Sequence, residues 1–305
     1  MQPDNEIWYT STDGKVVELY FAENDPSNAA VVSNTYDDKG VIVFDQALKR
    51  LGQQAFASTK LSSIQLPGSL TFISVSAFNN TNLREVVIPE GVTGISNGAF
   101  SNNDNLTKIS LPESLTFLGD NPFDSCPSLT SFEGKWASED GRCIIQNGSR
   151  LLAFAPYGLT SYTIPEGVTF IGSEVFYGYQ NLVEINLPSS LQTIRVSAFE
   201  NCGFDAITLP EGLKEIQGYV FYDCENLKEI TLPKSLEKIY YRAFAYCSSL
   251  EKIVSLAVTP PTEANAIFEN TGVCPIYVPE ESVEAYKTAE GWSDYADRIQ
   301  AIPAE

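Results

Sequence analysis

Apolar residues recur along this chain in a pattern that predicts short β-strands. Between Leu227 and Leu232, the apolar Ile230 is flanked by the polar Glu229 and Thr231. A period of two is typical of a strand with one buried face, so we expect the polar side chains to point outwards. Each such strand is followed by a proline, which cannot donate to a strand ladder and therefore ends it.

The residues after this strand predict the remainder of one coil. Leu236 and Ile239 are spaced to turn the chain across the back of the coil, and Phe244 follows with a large ring for its interior. Cys247 and Leu250 then close the coil. One coil cannot bury its apolar side alone, so we expect neighbours to stack at roughly the 4.8 Å strand spacing.

The whole pattern is repeated over most of the chain. Its proline recurs in steps of 22 or 23 residues, apart from one step of 53, at Pro67, Pro89, Pro112, Pro165, Pro188, Pro210 and Pro233. Its phenylalanine recurs in register at Phe56, Phe78, Phe100, Phe123, Phe176, Phe199, Phe221, Phe244 and Phe268. Self-similarity at this period is the signature of a solenoid. We therefore predict a β-rich α/β solenoid.

The repeat Leu-x-x-Ile-x-Leu-Pro-x-x-Leu-x-x-Ile-x-x-x-Ala-Phe-x-x-Cys resembles the BspA-type (Treponema pallidum-like) leucine-rich repeat of surface proteins in anaerobic gut and oral bacteria. The resemblance covers residues 41–278. It implies a leucine-rich repeat right-handed superhelix with parallel concave strands, one inserted β-hairpin and terminal caps. The sequence departs from the pattern at Phe204 in place of leucine, Val175 and Val220 in place of alanine, and Pro122 before Phe123.

Three regions are predicted: an N-terminal β cap at 1–44, the repeats at 45–278 and a C-terminal cap at 279–305. An independent binding module is the alternative for the first region. The cap strands are predicted at Ile7–Thr10, Val16–Phe21, Val31–Tyr36 and Val41–Phe44. We expect a final strand at Pro275–Pro279, followed in the last region by a helix at Val283–Ala289 capped by Glu281 and Ser282, with Trp292, Tyr295 and Ile299 as apolar cover.

The long proline step contains an insertion of about thirty residues, since the other steps are 22 or 23. Within about 134–158, the turn dipeptides Asp140-Gly141 and Asn147-Gly148 flank Cys143–Ile145 and precede Leu151–Phe154. We expect a β-hairpin that replaces the back of one coil and projects from the solenoid. It is either a recognition element that uses Trp136 and Arg142 or a structural interruption.

Charge and hydropathy limit the partners and the compartment. The net charge of −20 opposes binding to nucleic acid or anionic membrane, and no run of eighteen apolar residues predicts a transmembrane segment. The N-terminal residues do not form a signal peptide. The chain is therefore either cytoplasmic or an exported protein without its signal, and the resemblance favours an extracellular or cell-surface location.

Four cysteines share one position of the repeat, three residues after the phenylalanine: Cys126, Cys202, Cys224 and Cys247. Other coils place Thr59, Thr81, Asn103 and Thr271 there. A position shared by these residue types is small, inward and partly polar, so we predict buried thiols. Disulfides between stacked coils are the alternative, but parallel Cβ vectors suit them poorly.

Residues that could carry chemistry are few. Histidine is absent, which excludes His-based triads and most catalytic zinc sites. Glycoside hydrolysis needs only two carboxylates, but the outward strand positions show no aspartate cluster, so we expect no enzyme and no cofactor. A row of glutamates follows the repeat prolines and is either a calcium stripe or a solvated edge: Glu90, Glu113, Glu166 and Glu211.

The resemblance implies a non-catalytic, secreted or cell-surface protein-binding or adhesion module, which we expect to be monomeric. A carbohydrate-binding surface protein or a β-helix carbohydrate-active enzyme is the alternative. The partner would be a protein from a host or another bacterium, with a glycan as the alternative ligand. The candidate binding residues lie on the concave strands, at Ser161, Thr163, Glu184, Asn186, Thr208, Glu229, Thr231 and Lys252, or on a tyrosine edge, at Tyr177, Tyr222 and Tyr241.

Overall fold

A computed structural model describes residues 2–20 and 29–304. The chain forms two compact units. Unit 1 comprises Met1–Ile145 and Ala153–Tyr157, and unit 2 comprises Gln146–Leu152 and Gly158–Glu305. Each unit is a stack of coils with parallel strands, which confirms the predicted solenoid.

Unit 1 begins with an antiparallel sheet. Its strands are β1 (Glu6–Ser11), β2 (Val31–Tyr36) and β3 (Gly40–Phe44), and they join β5 (Leu61–Gln65) of the first coil in the order β2-β3-β1-β5. Alternate residues of β1 and β3 are buried, including Ile7, Tyr9 and Ile42. Strand β1 thereby pairs antiparallel with the front strand of the first coil. The boundaries of the predicted cap region stay a prediction.

One predicted strand of this region is wrong. Residues 16–20 of the predicted Val16–Phe21 strand are not extended into a ladder, and Phe21 and the segment 24–28 lie outside the described residues. Side chains instead form hydrogen bonds with the backbone N–H and carbonyl groups of Val17. Its N–H donates to the Tyr9 hydroxyl at 3.0 Å, and its carbonyl accepts from Asn34 Nδ2 at 2.8 Å. A strand pattern alone does not reveal such side-chain competition.

Each coil of unit 1 has a front strand before the repeat proline and a two-residue back strand after it. The front strands after β5 are β7 (Glu85–Val87), β9 (Lys108–Leu111) and β11 (Ser131–Gly134). The back strands are β4 (Arg50–Leu51), β6 (Phe72–Ile73), β8 (Gly94–Ile95) and β10 (Phe117–Leu118). The back strands pair in parallel in chain order, and so do β7, β9 and β11.

Strands β12 (Cys143–Gln146) and β13 (Arg150–Phe154) lie at the predicted hairpin positions. Between them, Asn147 and Gly148 have φ values of 53° and 70°, as a tight hairpin turn requires. The expectation that the hairpin projects is wrong for its second strand. In unit 2, β13 pairs in parallel with the first back strand, with Arg150 opposite Phe170 and Leu151 opposite Ile171.

Unit 2 repeats the coil architecture. The front strands are β14 (Ser161–Thr163), β16 (Glu184–Asn186), β19 (Glu229–Leu232), β21 (Lys252–Ser255), β22 (Ile276–Val278) and β23 (Ile299–Ala301). The back strands are β15 (Phe170–Ile171), β17 (Thr193–Ile194), β18 (Glu215–Ile216) and β20 (Lys238–Ile239). The back strands pair in parallel without interruption from β13 to β20, so the coils of unit 2 are continuous along their back.

The C-terminal residues pack on the last coil of unit 2, where Trp292 and Tyr295 contact Phe268 edge-on. A 3-10 turn at Glu280–Ser282 leads into helix α1 (Val283–Thr288), near the predicted helix, and a second 3-10 segment spans Ser293–Arg298. The predicted side-chain cap by Ser282 is wrong, because its hydroxyl donates to the Val258 carbonyl at 2.7 Å. Strand β23, which follows, extends the parallel front ladder beside β22.

The repeat phenylalanines form a stacked column in the core of each unit. In unit 2, consecutive ring centroids from Phe176 to Phe268 lie 5.0, 5.5, 5.1 and 5.6 Å apart. In unit 1, those from Phe56 to Phe123 lie 5.5, 4.9 and 5.7 Å apart. The rings are almost completely buried, so the predicted register of the repeat is confirmed.

The turns around these phenylalanines share one backbone conformation. In every coil the residues two before and two after the ring have positive φ, as at Tyr219 (60°) and Asp223 (59°) around Phe221. Where another coil follows in the same unit, the N–H groups of this turn, including that of the phenylalanine, donate to carbonyls of that coil. The bonds are Tyr219 N–H to Tyr241 O at 3.1 Å, Phe221 N–H to Ala243 O at 2.7 Å and Asp223 N–H to Ala245 O at 3.0 Å.

All six cysteines are buried, as predicted for the four repeat positions. Each repeat thiol donates to the carbonyl of the preceding coil's phenylalanine. For Cys224 this bond to Phe199 O is 3.1 Å long. Burial raises the pKa of the Cys224 thiol to about 12, which keeps the thiol protonated as a hydrogen-bond donor.

Candidate functional site

The front strands of unit 2 display a row of outward side chains, which we call the strand face. Parallel pairing places Ser161 opposite Glu184, Thr163 opposite Asn186 and Glu229 opposite Lys252. The eight strand-face residues predicted from the sequence are all exposed: Ser161, Thr163, Glu184, Asn186, Thr208, Glu229, Thr231 and Lys252. Their role in binding stays a prediction.

This row is interrupted between two coils. Strand β16 pairs with β14, but no strand in the described residues of unit 2 pairs with its other edge. The following segment, which carries Thr208, forms no strand and is joined only to the next coil, by a bridge between Ala206 and Glu229. The strand face is therefore split into two ladders, with Asn186 and Thr208 on opposite sides of the gap.

The spacing of the repeat accounts for the gap. The front strands that follow a six-residue step from the core phenylalanine, such as Phe176 to Leu182 or Phe221 to Leu227, pair or bridge with the preceding coil. From Phe199 to Phe204 the step is five residues. The shorter connection pulls Gly203 against the previous coil, where a Cβ would lie only 1.8 Å from the Gln180 carbonyl oxygen.

Unit 1 contains the same correlation. The step from Phe78 to Leu83 is also five residues, and the front strands on either side of it, β5 and β7, belong to different sheets. In the last coil the buried residue that leads into β22 is Cys274, six residues after Phe268, and there the ladder continues. A one-residue shortening thus accompanies both of these interruptions, a signal present in the sequence that the repeat pattern alone did not reveal.

The gap in unit 2 forms a groove along the free edge of β16. Two cavities of ≈ 620 and ≈ 540 Å³ line up there and share Glu184 and Ala206. The first reaches Asp205, Asn226 and Lys228; the second reaches Glu166, Asn186, Ser189, Thr208 and Glu211. Sequence reasoning placed Glu184, Asn186 and Thr208 on the face, but it missed the groove between them and the other residues of its walls.

The groove is acidic. Its walls carry the carboxylates of Glu166, Glu184, Asp205 and Glu211 and a single cation, Lys228. Lys228 Nζ lies 3.6 Å from Asp205 Oδ2, so that charge is already partly neutralised. Glu184 Oε1 accepts from the Asn186 amide at 3.2 Å, and the same amide donates to Thr163 Oγ1 of β14 at 3.2 Å.

The tyrosine edge lies on the phenylalanine turns of unit 2. Tyr177 and Tyr241 are each 39% exposed, whereas Tyr222 is half-buried between Tyr219 and Tyr246, with ring centroids 5.5 and 5.1 Å away. Partial burial, helped by the Tyr246 phenol, raises the pKa of Tyr222. Tyr222 therefore reaches the surface only in part, because Tyr219 of its own coil and Tyr246 of the next coil cover it.

The glutamates after the repeat prolines have a structural role in two coils. Glu90 accepts from the backbone N–H of Glu113 at 3.0 Å, and Glu166 accepts from the N–H of Ser189 at 3.1 Å, one coil further on. Among residues 2–20 and 29–304, no three acidic, cysteine or histidine side chains converge as a metal site would require. In unit 1, Arg142 is engaged in holding the chain, since Nη1 donates to the carbonyls of Ala155 and Tyr157.

Across the part of the chain that the structure describes, no helix has the length and apolar character to cross a bilayer. No curated protein matches the sequence significantly. Solved structures of similar fold include a leucine-rich repeat protein from Bacteroides ovatus, at 20% identity and a TM-score of 0.60 over 99% of this chain and 82% of that one.

Two further structures resemble this chain over nearly its full length. The pneumococcal vaccine antigen PcpA is 16% identical, with a TM-score of 0.58 over 100% of this chain and 98% of that one. A leucine-rich cell surface protein from Faecalibacterium prausnitzii is 18% identical, with a TM-score of 0.54 over 97% of each chain. At these identities the likeness concerns the fold alone.

The family model for the BspA type leucine rich repeat region matches six copies, over residues 38–137 and 151–273. These ranges contain the repeat prolines, the core phenylalanines and the cysteine position described above. Together with the parallel coils of both units, the match shows that this chain belongs to the BspA-type leucine-rich repeat family.

Proposed function

We propose that this protein is a non-catalytic, secreted or cell-surface module that binds another protein through the strand face of unit 2. The observation that carries the proposal is the row of exposed, short polar side chains held in register by parallel strands. Backbone pairing fixes the spacing of these side chains, so a partner meets a surface that loses little conformational entropy on binding.

Two further points support this assignment. Repeat proteins commonly use extended strand surfaces to bind protein ligands. The Faecalibacterium protein of similar fold is described as a cell surface protein, and PcpA as a vaccine antigen, which favours an exported location for this chain as well. The charged residues Glu184, Glu229 and Lys252 would contribute to specificity and association rate more than to affinity.

The tyrosine edge is the second candidate surface for the same function. Tyr177, Tyr241 and Tyr246 are exposed by 38–39%, and tyrosine supplies rigid apolar area with a polar tip. Its partner would gain more from apolar burial than a partner of the strand face would. Two pairs of substitutions separate the surfaces.

The experiment starts with the full chain immobilised and tested against purified extracellular matrix proteins and against a glycan array. For any partner found, Glu184→Lys with Glu229→Lys should reduce affinity by on the order of tenfold or more, because each substitution reverses the charge of a side chain on the strand face. Tyr177→Ala with Tyr241→Ala should leave it unchanged.

The reverse result would move the site to the tyrosine edge. Binding that survives both double substitutions would contradict both surfaces. A chain that binds glycans and none of the proteins would contradict the protein-binding proposal. Circular dichroism of each variant serves as the folding control, since all four positions are at least partly exposed.

A further inference from the structure

We propose that the tyrosine edge of unit 2 binds a basic, proline-rich segment in the polyproline II conformation. The inference goes beyond the proposed function, because it gives this second surface a ligand class of its own. Two further tyrosines of the same turns, Tyr219 and Tyr246, complete the aromatic surface beside Tyr222 and Tyr241.

The first observation is the spacing of the side chains that directly follow the core phenylalanines. In three successive coils these side chains are Tyr177, Glu200 and Tyr222. Backbone hydrogen bonds of 2.9 Å, donated by the N–H groups of Phe176 and Phe199, join the three turns. Since chains stacked in this way lie roughly 4.8 Å apart, the two tyrosine positions are separated by roughly 9–10 Å.

A polyproline II helix has the matching period. It rises about 3.1 Å per residue with three residues per turn, so every third residue lies on the same side, about 9 Å further along. Prolines at every third position can therefore pack on Tyr177 and Tyr222 in turn. An extended β-strand repeats one side about every 7 Å and does not keep this register.

The second observation is the tilt of the rings. Tyr219 meets Tyr241 and Tyr222 at interplanar angles of 82° and 64°, and Tyr222 meets Tyr246 at 49°. Tilted rings form a ridged surface, and proline-rich segments dock on surfaces lined by aromatic side chains. Because the rings hold one another in place, little side-chain entropy is lost on binding.

The third observation concerns hydrogen-bond donors. Within the described residues, the hydroxyl groups of Tyr219, Tyr222, Tyr241 and Tyr246 make no hydrogen bond to the protein, whereas the Tyr286 hydroxyl donates to a carbonyl. A polyproline II backbone has no internal hydrogen bonds, and each proline lacks an N–H group. Such a segment therefore offers mainly carbonyl acceptors, which these hydroxyl donors complement.

The fourth observation is charge. Glu200 occupies the position of Tyr222 in the preceding coil, and Asp223 follows Tyr222 directly. Arg242, a basic side chain of the next turn, is already paired with Glu269 at 2.7 Å. A lysine or arginine next to each proline of the ligand can face the two carboxylates, whereas an acidic segment would be repelled.

The probe is a fluorescein-labelled, end-capped nonapeptide of three Pro-Lys-Thr repeats, titrated with the full chain by fluorescence anisotropy. We expect saturable binding that weakens with salt. The peptide Pro-Pro-Lys-Thr-Lys-Pro-Thr-Lys-Thr has the same composition but no two prolines on one side of the helix, so it should bind on the order of tenfold more weakly. The analogue with glutamate in place of each lysine should not bind.

Tyrosine variants of the chain locate the peptide. Tyr177→Ala with Tyr222→Ala should weaken binding by on the order of tenfold or more, since both contacts of the proline register are removed. The matched control is Tyr20→Ala with Tyr157→Ala, which removes two exposed tyrosines of unit 1 and should have no effect.

A second variant tests the charges and keeps the shapes of the side chains, so it serves if the tyrosine variant does not fold. Glu200→Gln with Asp223→Asn should weaken binding by on the order of tenfold and make it less sensitive to salt. Glu211→Gln with Glu229→Gln removes two exposed charges outside the phenylalanine turns and should change neither quantity.

Several results would overturn the inference. Equal binding of the two lysine peptides would exclude the polyproline register. Equal losses in a variant and its control would mean that the peptide does not bind at the tyrosine edge. A glycan-array signal that is lost on Tyr177→Ala with Tyr222→Ala, in a chain that does not bind the peptide, would assign the edge to a sugar.

The two proposals fail separately. If a protein partner is lost on Glu184→Lys with Glu229→Lys and the peptide does not bind, this inference fails and the proposed function stands. If the peptide binds at the tyrosine edge as described while no protein partner is found for the strand face, the proposed function fails and this inference stands.

Discussion

At the scale of single residues, the structure depends on positions that each coil fills in the same way. Phe221 is fully buried between Phe199 and Phe244, and Phe204 contacts it edge-on with centroids 6.2 Å apart. Cys224 meanwhile satisfies a carbonyl of the neighbouring coil. The core thus contains an apolar column and, beside it, a polar position that links successive coils.

Replacing Phe221 with alanine should lower the free energy of unfolding by about 3–5 kcal/mol, because it removes ring contacts on both sides and leaves a cavity. Urea denaturation of the full chain measures the change. Phe117→Ala is the control, as that ring is 49% exposed, and it should cost about 1 kcal/mol or less. Equal losses for the two variants would mean that Phe221 is not part of a closely packed column.

The Cys224 thiol should make stability depend on alkaline pH. Its pKa is raised from the usual 9.0 to about 12 by burial, so above pH 9 the unfolded chain releases this proton and the folded chain retains it. The free energy of unfolding should therefore fall as pH rises from 9 towards 12, by about 1.4 kcal/mol per pH unit for this group.

Denaturation curves of the native sequence and of Cys224→Ala on either side of pH 9 test this, since the variant should show a shallower decline. A thiol reagent should also react slowly with the folded protein and completely after denaturation without reductant. Parallel slopes for the two proteins, or rapid labelling of Cys224 in the folded state, would refute the burial of this thiol.

Sequence reasoning was reliable for residues whose chemistry is local. The spacing of proline, phenylalanine and cysteine identified the core, because these residue types seldom recur at such regular intervals for any other reason. It did not identify the left-handed residues, since tyrosine at position 219, arginine at 242 and glutamate at 174 all adopt φ values near 60° there. Such residues rarely do so unless hydrogen bonds to the next coil hold the backbone.

At the scale of elements, the back strands show how two residues can form a ladder. In unit 1, the Arg50 guanidinium lies 4.1 Å from the Phe72 ring centroid, and Phe72 stacks with Phe117 at 6.4 Å across Gly94. In unit 2, Arg150 lies 4.0 Å from the Phe170 ring in the same register. Cation–π contacts therefore begin the back ladder in both units.

Gly94 is the position that allows the stack in unit 1. A Cβ there would lie 2.4 Å from Phe72 Cε2, so Gly94→Ala should displace the ring and cost about 1–3 kcal/mol. In a Phe72→Ala background the same change should be neutral or slightly stabilising, because the collision is gone. Thermal denaturation of the four proteins in this cycle measures the coupling, and additive effects would disprove the collision.

The back strands were not predicted, because two residues have no measurable hydrophobic period. The interruption beside β16 was missed for a related reason. A repeat pattern aligned on Pro188 and Pro210 tolerates the 22-residue step, while the lost residue lies between Phe199 and Phe204, where the pattern is least specific. Conversely, the β1, β2 and β3 strands were predicted well, because runs of apolar and β-branched residues are bounded by clear turn signals such as Asp13-Gly14 and Asp38-Lys39-Gly40.

At the scale of the whole molecule, charge is the dominant feature outside the core. The chain carries 39 acidic and 19 basic residues. Ion pairs such as Lys214 with Glu237 at 2.8 Å neutralise some carboxylates, but most of the excess faces solvent. Such an excess opposes the compact state through mutual repulsion.

Stability at neutral pH should consequently rise with salt. Raising ionic strength from about 0.01 M to about 0.15 M shortens the Debye length from roughly 30 Å to roughly 8 Å, so long-range repulsion is screened. We expect the midpoint of urea denaturation to increase. Near the isoelectric point of about 4.3 the same addition should have little effect. A midpoint that falls with salt at neutral pH would mean that the ion pairs outweigh the repulsion.

The backbone around each core phenylalanine gives every coil a direction. Between successive coils of one unit, the N–H groups of one coil donate forwards to carbonyls of the next, as Phe100 does to Pro122 and Phe199 to Val220, so the two faces of such a coil are complementary to each other. At the last coil the forward donor of Phe268 is satisfied by the Tyr295 hydroxyl at 3.1 Å. A coil of 22 or 23 residues could accordingly be duplicated or excised by recombination without leaving unmatched groups at the junction. Gene duplication thus has a ready structural unit here, and the number of coils is free to vary while the terminating residues are kept.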